Sequence, residues 1–327
     1  ATSQRKLGGL ALNTAVRKHM QKLKTVETLL EDFRLRRPIR GGSLIITVFG
    51  DSISQHGNSV WLGSLITALK PFGINSRLVR TAVYRNSQDG WLTSAPSGRR
   101  SYYSFTDYGL RHYEKAARRI YVESPCNWDG QWTLVFTGSV AESSRETLRR
   151  ELQWLGFGNL GSGLMACPGA NRQSLDETLS ELHLTDRVAV MRATTDEIES
   201  DQVLNEMVKD CWALEQLAAR YNQFLGTFKP VFNAVSRAKS LQPEDAFQIR
   251  TLLIHEYRRI LLKDTDLPRQ VLPGNWPGRA ASMLTAKLYR LTHEPAMAFL
   301  RNNMQTTQGM LPKASSSYYS RFGGLQD

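Results

Sequence analysis

Three things are scarce in this chain of 327 residues: cysteine, long apolar runs and, over its first third, acid. Its three cysteines, Cys126, Cys167 and Cys211, lie about forty residues apart. That spacing forms neither a disulfide framework nor a zinc site, and it suits a reducing cytoplasm. No stretch of 18 apolar residues occurs, so no membrane helix is expected. The amino-terminal segment is basic but has no apolar centre or cleavage site, and does not read as a signal peptide. Metal and nucleophile patterns are missing too. His255-Glu256 has no second histidine one turn on, His19, His56, His112, His183 and His293 are isolated, and no nucleophile elbow is present. No catalytic residue, resident cofactor or metal ligand is therefore expected. Gly156 to Gly161 matches a dinucleotide-binding glycine pattern, but a helix precedes it and a strand follows, the reverse of what that fold needs. A glycine turn is the expected role.

The shortage of acid is local. The first 121 residues hold 20 Lys and Arg against 7 Asp and Glu, whereas residues 122–327 hold 22 against 23. The whole net charge of +12 thus arises near the amino terminus, as a binding surface for a polyanion requires.

Within that basic third, Asn58 to Phe105 reads as helix, tight turn, helix and hairpin. Trp61, Leu62, Leu65, Ile66 and Leu69 have helical spacing, and Pro71 and Gly73 end that helix. Asn75 or Ser76 caps the next one, which runs to Gln88 and breaks at Gly90. Leu78, Val79, Ala82 and Val83 are assigned to its inner face, with Arg77, Arg80, Thr81, Tyr84 and Gln88 outside. Trp91–Ala95 and Ser101–Phe105 alternate as strands around Pro96-Ser97-Gly98, with Arg99 and Arg100 at the tip. This is the layout of a winged helix-turn-helix. Ser76, Arg77, Arg80, Thr81, Tyr84, Arg85, Gln88, Arg99 and Arg100 are the candidate DNA-contacting residues, Arg85 being nearer the buried boundary. The competing reading is a small helical core with a solvated basic face.

At this length several domains are expected. An α+β multidomain chain follows: a basic extension at 1–36, a winged helix-turn-helix domain at 37–123, an α+β unit at 124–197, helices at 198–310 and a serine-rich tail at 311–327. A helix is expected around Thr25–Phe33, and another in the apolar segment Ile39–Ile53. Asp107 is the expected cap of a helix reaching Arg119. In the central unit, strands at Gln131–Gly138, Gly163–Cys167 and Arg187–Ala193 alternate with helices at Ser143–Leu155 and Ser174–Leu184, a ferredoxin-like pattern. The later helices are expected to break at Pro230, at Pro243 and across Leu272–Gly278. Arg250, Arg258 and Arg259 lie near Tyr257 and Trp276, a mixture suited to phosphates and an aromatic group but also common on ordinary helices. His255, Tyr257, Arg258, Arg259 and Trp276 are the candidate effector-binding residues.

The runs GDSISQHG, VWLGSLITAL, RLVRTAVYRN, GWL and GRRSYYSFTDYGLR, followed by LIHEYRRILLKDTDLP and QVLPGNWPG, resemble the PaaX family, repressors of phenylacetic acid degradation operons. The likeness covers Gly41 to about Asn303. It implies a winged helix-turn-helix, a central Cas2-like dimerisation domain and a helical carboxy-terminal domain. It further implies a cytoplasmic, nucleoid-associated homodimer on palindromic operator DNA, released by an aryl-CoA thioester such as phenylacetyl-CoA. One alternative is a Cas2-like nucleic-acid processing enzyme, but its first central strand would need an acid at its end, where Phe136-Thr137-Gly138 stands. The other is a DNA-binding protein with no effector.

Overall fold

The computed structural model describes residues 23–36, 41–122, 128–195 and 201–325. The first 22 residues of the basic extension and Cys126 lie outside the described residues. Two compact units are present. One comprises the chain to Val122, Leu225–Tyr257 and Ser282 onward; the other comprises Glu123–Phe224 and Arg258–Ala281. The helices at 198–310 are therefore not a separate body, since two of their stretches fold with the amino-terminal third.

In the first unit, α1 (Lys24–Leu35) buries Val26, Leu29, Leu30 and Phe33, one helical stripe. Helix α2 (Gly41–Val48) passes into a π-turn over Phe49–Ile53 and a short 3-10 turn over Ser54–His56. Strand β1 (Val60–Trp61) leads into α3 (Leu62–Leu69), and α4 (Ser76–Gln88) follows. Strands β2 (Leu92–Ser97) and β3 (Arg100–Phe105) pair antiparallel, with β3 central and β1 on its far side. Pro96 is tolerated because β2 is an edge strand. Helix α5 (Asp107–Tyr121) is capped by Thr106, whose hydroxyl accepts from the Gly109 amide, and not by Asp107.

The second unit has strands β4 (Gln131–Phe136), β5 (Gly158–Gly161), β6 (Leu164–Pro168) and β7 (Ala189–Thr194), with α6 (Glu142–Trp154) after β4 and α7 (Arg172–Glu181) after β6. The sheet order is β5-β6-β4-β7, and every pairing is antiparallel. Strand alternation sends Val135 and Met165 to one face, with Leu148, Leu152, Leu175 and Leu179 of the two helices. Trp132 and Ala166 go to the other, packed with Val208, Trp212, Leu214, Leu267 and Val271. The glycine pattern at 156–161 is more than a turn: it contains β5.

Three helices pass from one unit into the other: α9 (Leu214–Arg237), α10 (Pro243–Leu261) and α11 (Gly278–Asn303), α9 being preceded by α8 (Asp201–Cys211). Pro230 lies inside α9 and does not end it. Its missing amide costs a hydrogen bond, but burial of Phe228, Val231 and Val235 holds the helix together. In α10, Asp245 to His255 is buried on every side, as befits a central helix.

The serine-rich tail is no free end. Ser315 and Ser317 donate to Gln55 Oε1 at 2.6 and 2.8 Å, and Tyr318 is fully buried. Arg321 reaches the buried Asp51 carboxylate at 3.1 Å, while Arg250 Nε meets its other oxygen at 2.9 Å. Tyr121 and Tyr289 donate to Asp51 Oδ1 at 2.7 and 2.9 Å. Burial alone would raise the Asp51 pKa, but the two guanidiniums and two phenols outweigh it and hold the carboxyl below its usual range. Arg250, offered above beside Arg258 and Arg259, is thus an internal partner.

Asp51→Asn would leave two buried guanidiniums without their carboxylate. It should destabilise the chain by about 3–5 kcal/mol at neutral pH in denaturant unfolding. A lowered folded pKa gives stability that is present above the unfolded value of about 4 and lost as pH falls through the folded value. The gap between wild type and variant should therefore narrow in acid; a gap independent of pH would show that Asp51 is not the ionised centre.

Candidate nucleic-acid interface

A short turn and a single side-chain cap fix the orientation of α4. The chain leaves α3 through a 3-10 turn at Lys70–Phe72, then reverses at Gly73. Arg34 of α1 donates to the Pro71 carbonyl at 2.8 Å and holds this turn from outside. Asn75 Oδ1 accepts from the Leu78 amide at 2.9 Å, satisfying one of the free donors of the first helical turn. Val79, Val83 and Asn86 face inward, and Asn86 Nδ2 donates to the Gly42 carbonyl at 3.2 Å. Hydrophobic burial thus sets the rotation of α4, and this hydrogen bond ties it to α2.

The opposite face is exposed: Ser76, Arg77, Arg80, Thr81, Tyr84, Arg85 and Gln88 all lie on it. Arg85 is fully among them and does not lie at the buried boundary. Leu78, assigned above to the inner face, is 45% exposed. Leu78 is adjacent to Val79 in sequence, but its helical neighbours are Thr81 and Arg85, three and seven residues on; that spacing was the available signal. No acidic residue occurs in α4, and among the described residues Arg77, Arg80, Arg85 and Arg99 form no ion pair. Three arginines of the second unit, by contrast, are paired on their own helices: Arg145–Glu142, Arg149–Glu146 and Arg172–Asp176.

The hairpin is longer than expected. Its strands pair out to Ser97 and Arg100, so the turn is Gly98-Arg99. Gly98 takes a φ of 58°, which an L side chain rarely adopts. Arg99 stands exposed at the tip. Arg100 belongs to the strand and is engaged within the protein. Its guanidinium lies 4.3 Å over the Trp61 ring and donates to Gln305 Oε1 at 3.0 Å. The Trp61 ring lies where a Cβ on residue 63 would fall, at 2.4 Å, so only glycine fits there. At the hairpin base, Asn58 both donates to the Phe105 carbonyl and accepts from its amide, each at 3.2 Å.

The candidate effector residues do not form one group within either unit. His255 and Tyr257 are buried in the first. His255 Nδ1 is hydrogen-bonded to Thr47 Oγ1 at 3.1 Å, and its ring meets Phe33 edge-on. Arg258, Arg259 and Trp276 belong to the second unit. There Arg258 is buried, Arg259 is exposed and Trp276 packs edge-on against Tyr221. The Tyr221 hydroxyl donates to Asp264. At the end of β4, Thr137 is buried and donates its hydroxyl to the Gly163 carbonyl at 3.0 Å, so a turn contact occupies the place where a carboxylate was sought. Among the described residues no group of three His, Cys, Asp or Glu side chains is arranged to hold a metal ion, and no helix is long and apolar enough to cross a membrane.

Comparison with known proteins divides the chain into three consecutive segments, the last of which spans both compact units. Residues 40–109 match the family described as PaaX-like protein, residues 125–204 the PaaX protein central Cas2-like domain, and residues 212–302 the PaaX-like protein C-terminal domain. The chain is 38% identical over 289 residues to the transcriptional repressor PaaX of Escherichia coli (strain K12), covering 88% of this chain and 92% of that protein. A solved structure, the uncharacterized protein Rv0674 from Mycobacterium tuberculosis, is similar in fold, with a TM-score of 0.52 and 22% identity over 78% of this chain and 97% of that one. With three matched domains in order and a relative of this identity over most of its length, the chain belongs to the PaaX family.

Proposed function

We propose that this chain is a DNA-binding transcriptional repressor and not an enzyme, acting in the cytoplasm on the nucleoid. Likeness to a transcriptional repressor supports the regulatory role. The observation that carries the DNA-binding reading is the outer face of α4, with three exposed arginines that have no carboxylate partner among the described residues. In this reading residues 41–122 are a winged helix-turn-helix, α4 lies in the major groove and Arg99 at the wing tip meets phosphate or the minor groove. Arg77 and Arg80 suit guanine, Gln88 suits adenine, and Leu78 and Thr81 suit a thymine methyl. The central sheet, with its β-α-β-β-α-β order, is a ferredoxin-like dimerisation unit. A homodimer would then read two half-sites about one helical turn, or a multiple of it, apart.

Release would come from an aryl-CoA thioester such as phenylacetyl-CoA. Such a ligand must bind the DNA-incompetent arrangement better than the competent one, or nothing shifts. Arg259, exposed in the second unit, is the candidate for the CoA phosphates, with Arg258 and Trp276 as further members. His255 and Tyr257, buried in the first unit, serve packing there.

The test is fluorescence anisotropy of the full chain on its own upstream DNA, with salt varied and with phenylacetyl-CoA, free CoA or phenylacetate added. Arg77→Ala should reduce discrimination between operator and random sequence by about tenfold. Arg99→Ala should weaken all sequences alike and flatten the logarithmic salt slope by about 0.9. An Arg77→Ala protein with unchanged operator preference would remove that residue from the readout. Only the thioester should release the DNA, and Arg259→Ala should need more of it while binding operator normally. Tight binding indifferent to all three small molecules would leave a DNA-binding protein without this effector.

A further inference from the structure

Beside the wing lies a second, smaller hairpin that the sequence reading absorbed into the helical segment at 198–310. Strands β8 (Gln305–Thr306) and β9 (Gly309–Met310) pair antiparallel around Thr307-Gln308. Thr306 Oγ1 accepts from the Gln308 amide at 3.1 Å, which sets the turn. Thr307, Gln308, Gly309 and Met310 are exposed. The hairpin is fastened to the DNA-facing module at two points. The Gln305 amide donates to Ser64 Oγ in the first turn of α3 at 3.2 Å. The Gln305 side chain accepts from Arg100, the wing residue stacked on Trp61. The small hairpin therefore sits against β1 on the half of the wing nearer its tip.

Its chemistry matches that place. Residues 295–326 contain no Asp or Glu, while exposed Arg301 and Lys313 flank the hairpin. The turn offers threonine and glutamine side chains and backbone amides, the neutral donors that hold phosphate oxygens without reading sequence. An uncharged, donor-rich turn among cations fits a polyanion backbone and has no electrostatic reason to avoid it.

We infer that Gln305–Met310 is a second wing, which grips the DNA backbone beside the Gly98-Arg99 tip and lengthens the footprint without adding base readout. This rests on the DNA-binding reading above. If it is right, Lys313 adds a further phosphate contact at the root of the hairpin.

The experiment uses the full chain and its upstream DNA in anisotropy and hydroxyl-radical footprinting. Wild type, Arg99→Ala, Lys313→Ala, Gln308→Lys and the double variant Thr307→Glu/Gln308→Glu are compared. The turn is exposed, so unfolding midpoints should match wild type. The double variant should bind about tenfold more weakly at low salt, on operator and random DNA alike, and lose protection beside the wing. Gln308→Lys should bind more tightly, with a salt slope steeper by about 0.9, and Lys313→Ala should have a slope shallower by the same amount. Arg99→Ala weakened while all three hairpin changes bind as wild type would overturn the second wing and keep the first. A wild-type chain that binds no DNA would overturn both.

Discussion

The first unit depends on one buried carboxylate. Asp51 lies on the π-turn that follows α2, and its partners come from α5, α10, α11 and the segment after α12 (Ser316–Tyr319). Desolvating such a charge costs several kcal/mol unless paired well, and here each oxygen has a guanidinium and one accepts two phenols besides. Tyr121 and Tyr289 are pushed well above the usual phenol pKa, chiefly by burial and with Asp51 contributing, so they remain donors. The network is worth most as a specifier. Asp51, Arg250 and Arg321 are satisfied together only when these remote segments meet at the π-turn. The amino-terminal part of the first unit is therefore held by residues as remote in sequence as Arg321 and would not be complete if cut at Val122.

The same accounting separates cations engaged within the protein from those facing water. Arg250 and Arg321 are consumed by Asp51, Arg36 by Glu256 at 2.6 Å and Arg100 by Trp61 and Gln305. Arg77, Arg80, Arg85 and Arg99 are left with no ion pair among the described residues. An arginine already in a carboxylate fork gains little from a phosphate, because the first partner must be given up. One facing water exchanges a solvated cation for a charge-assisted contact and releases a counterion. Charge count alone located the basic third of the chain; the pairing shows which of its arginines are already engaged.

What was legible in the sequence follows from range. The span of helix α4 was readable because its cap, its stripe of Val79, Ala82 and Val83 and its glycine break are all local. The central strands were readable because Trp132, Val135 and their neighbours form short apolar runs bounded by turn residues. Leu78 was misassigned because a wheel drawn by hydrophobicity places every leucine inside, whereas Val79, Val83 and Asn86 already fill the inner stripe. The packing of the serine-rich segment was illegible for another reason. Its serines look solvated, and the partner of Arg321 lies 270 residues away. No periodicity encodes a pair of that separation. Strand β5 was hidden by its glycines, which carry no strand propensity and are tolerated there only because β6 supplies the pairing.

The small carboxy-terminal hairpin joins these themes. Helix α11 starts among residues of the second unit, ends at Asn303 and leads directly into Gln305. Gln305 holds both Ser64 at the start of α3 and Arg100 in the wing. Arg100 cannot keep its place over Trp61 and its bond to Gln305 if the end of α11 shifts by more than the reach of a hydrogen bond. A ligand that changed the set of α11 would therefore alter the wing through contacts already present, with no rearrangement of α4 itself. Such coupling needs only that the ligand favour one of the two settings, and its strength is bounded by that difference in affinity.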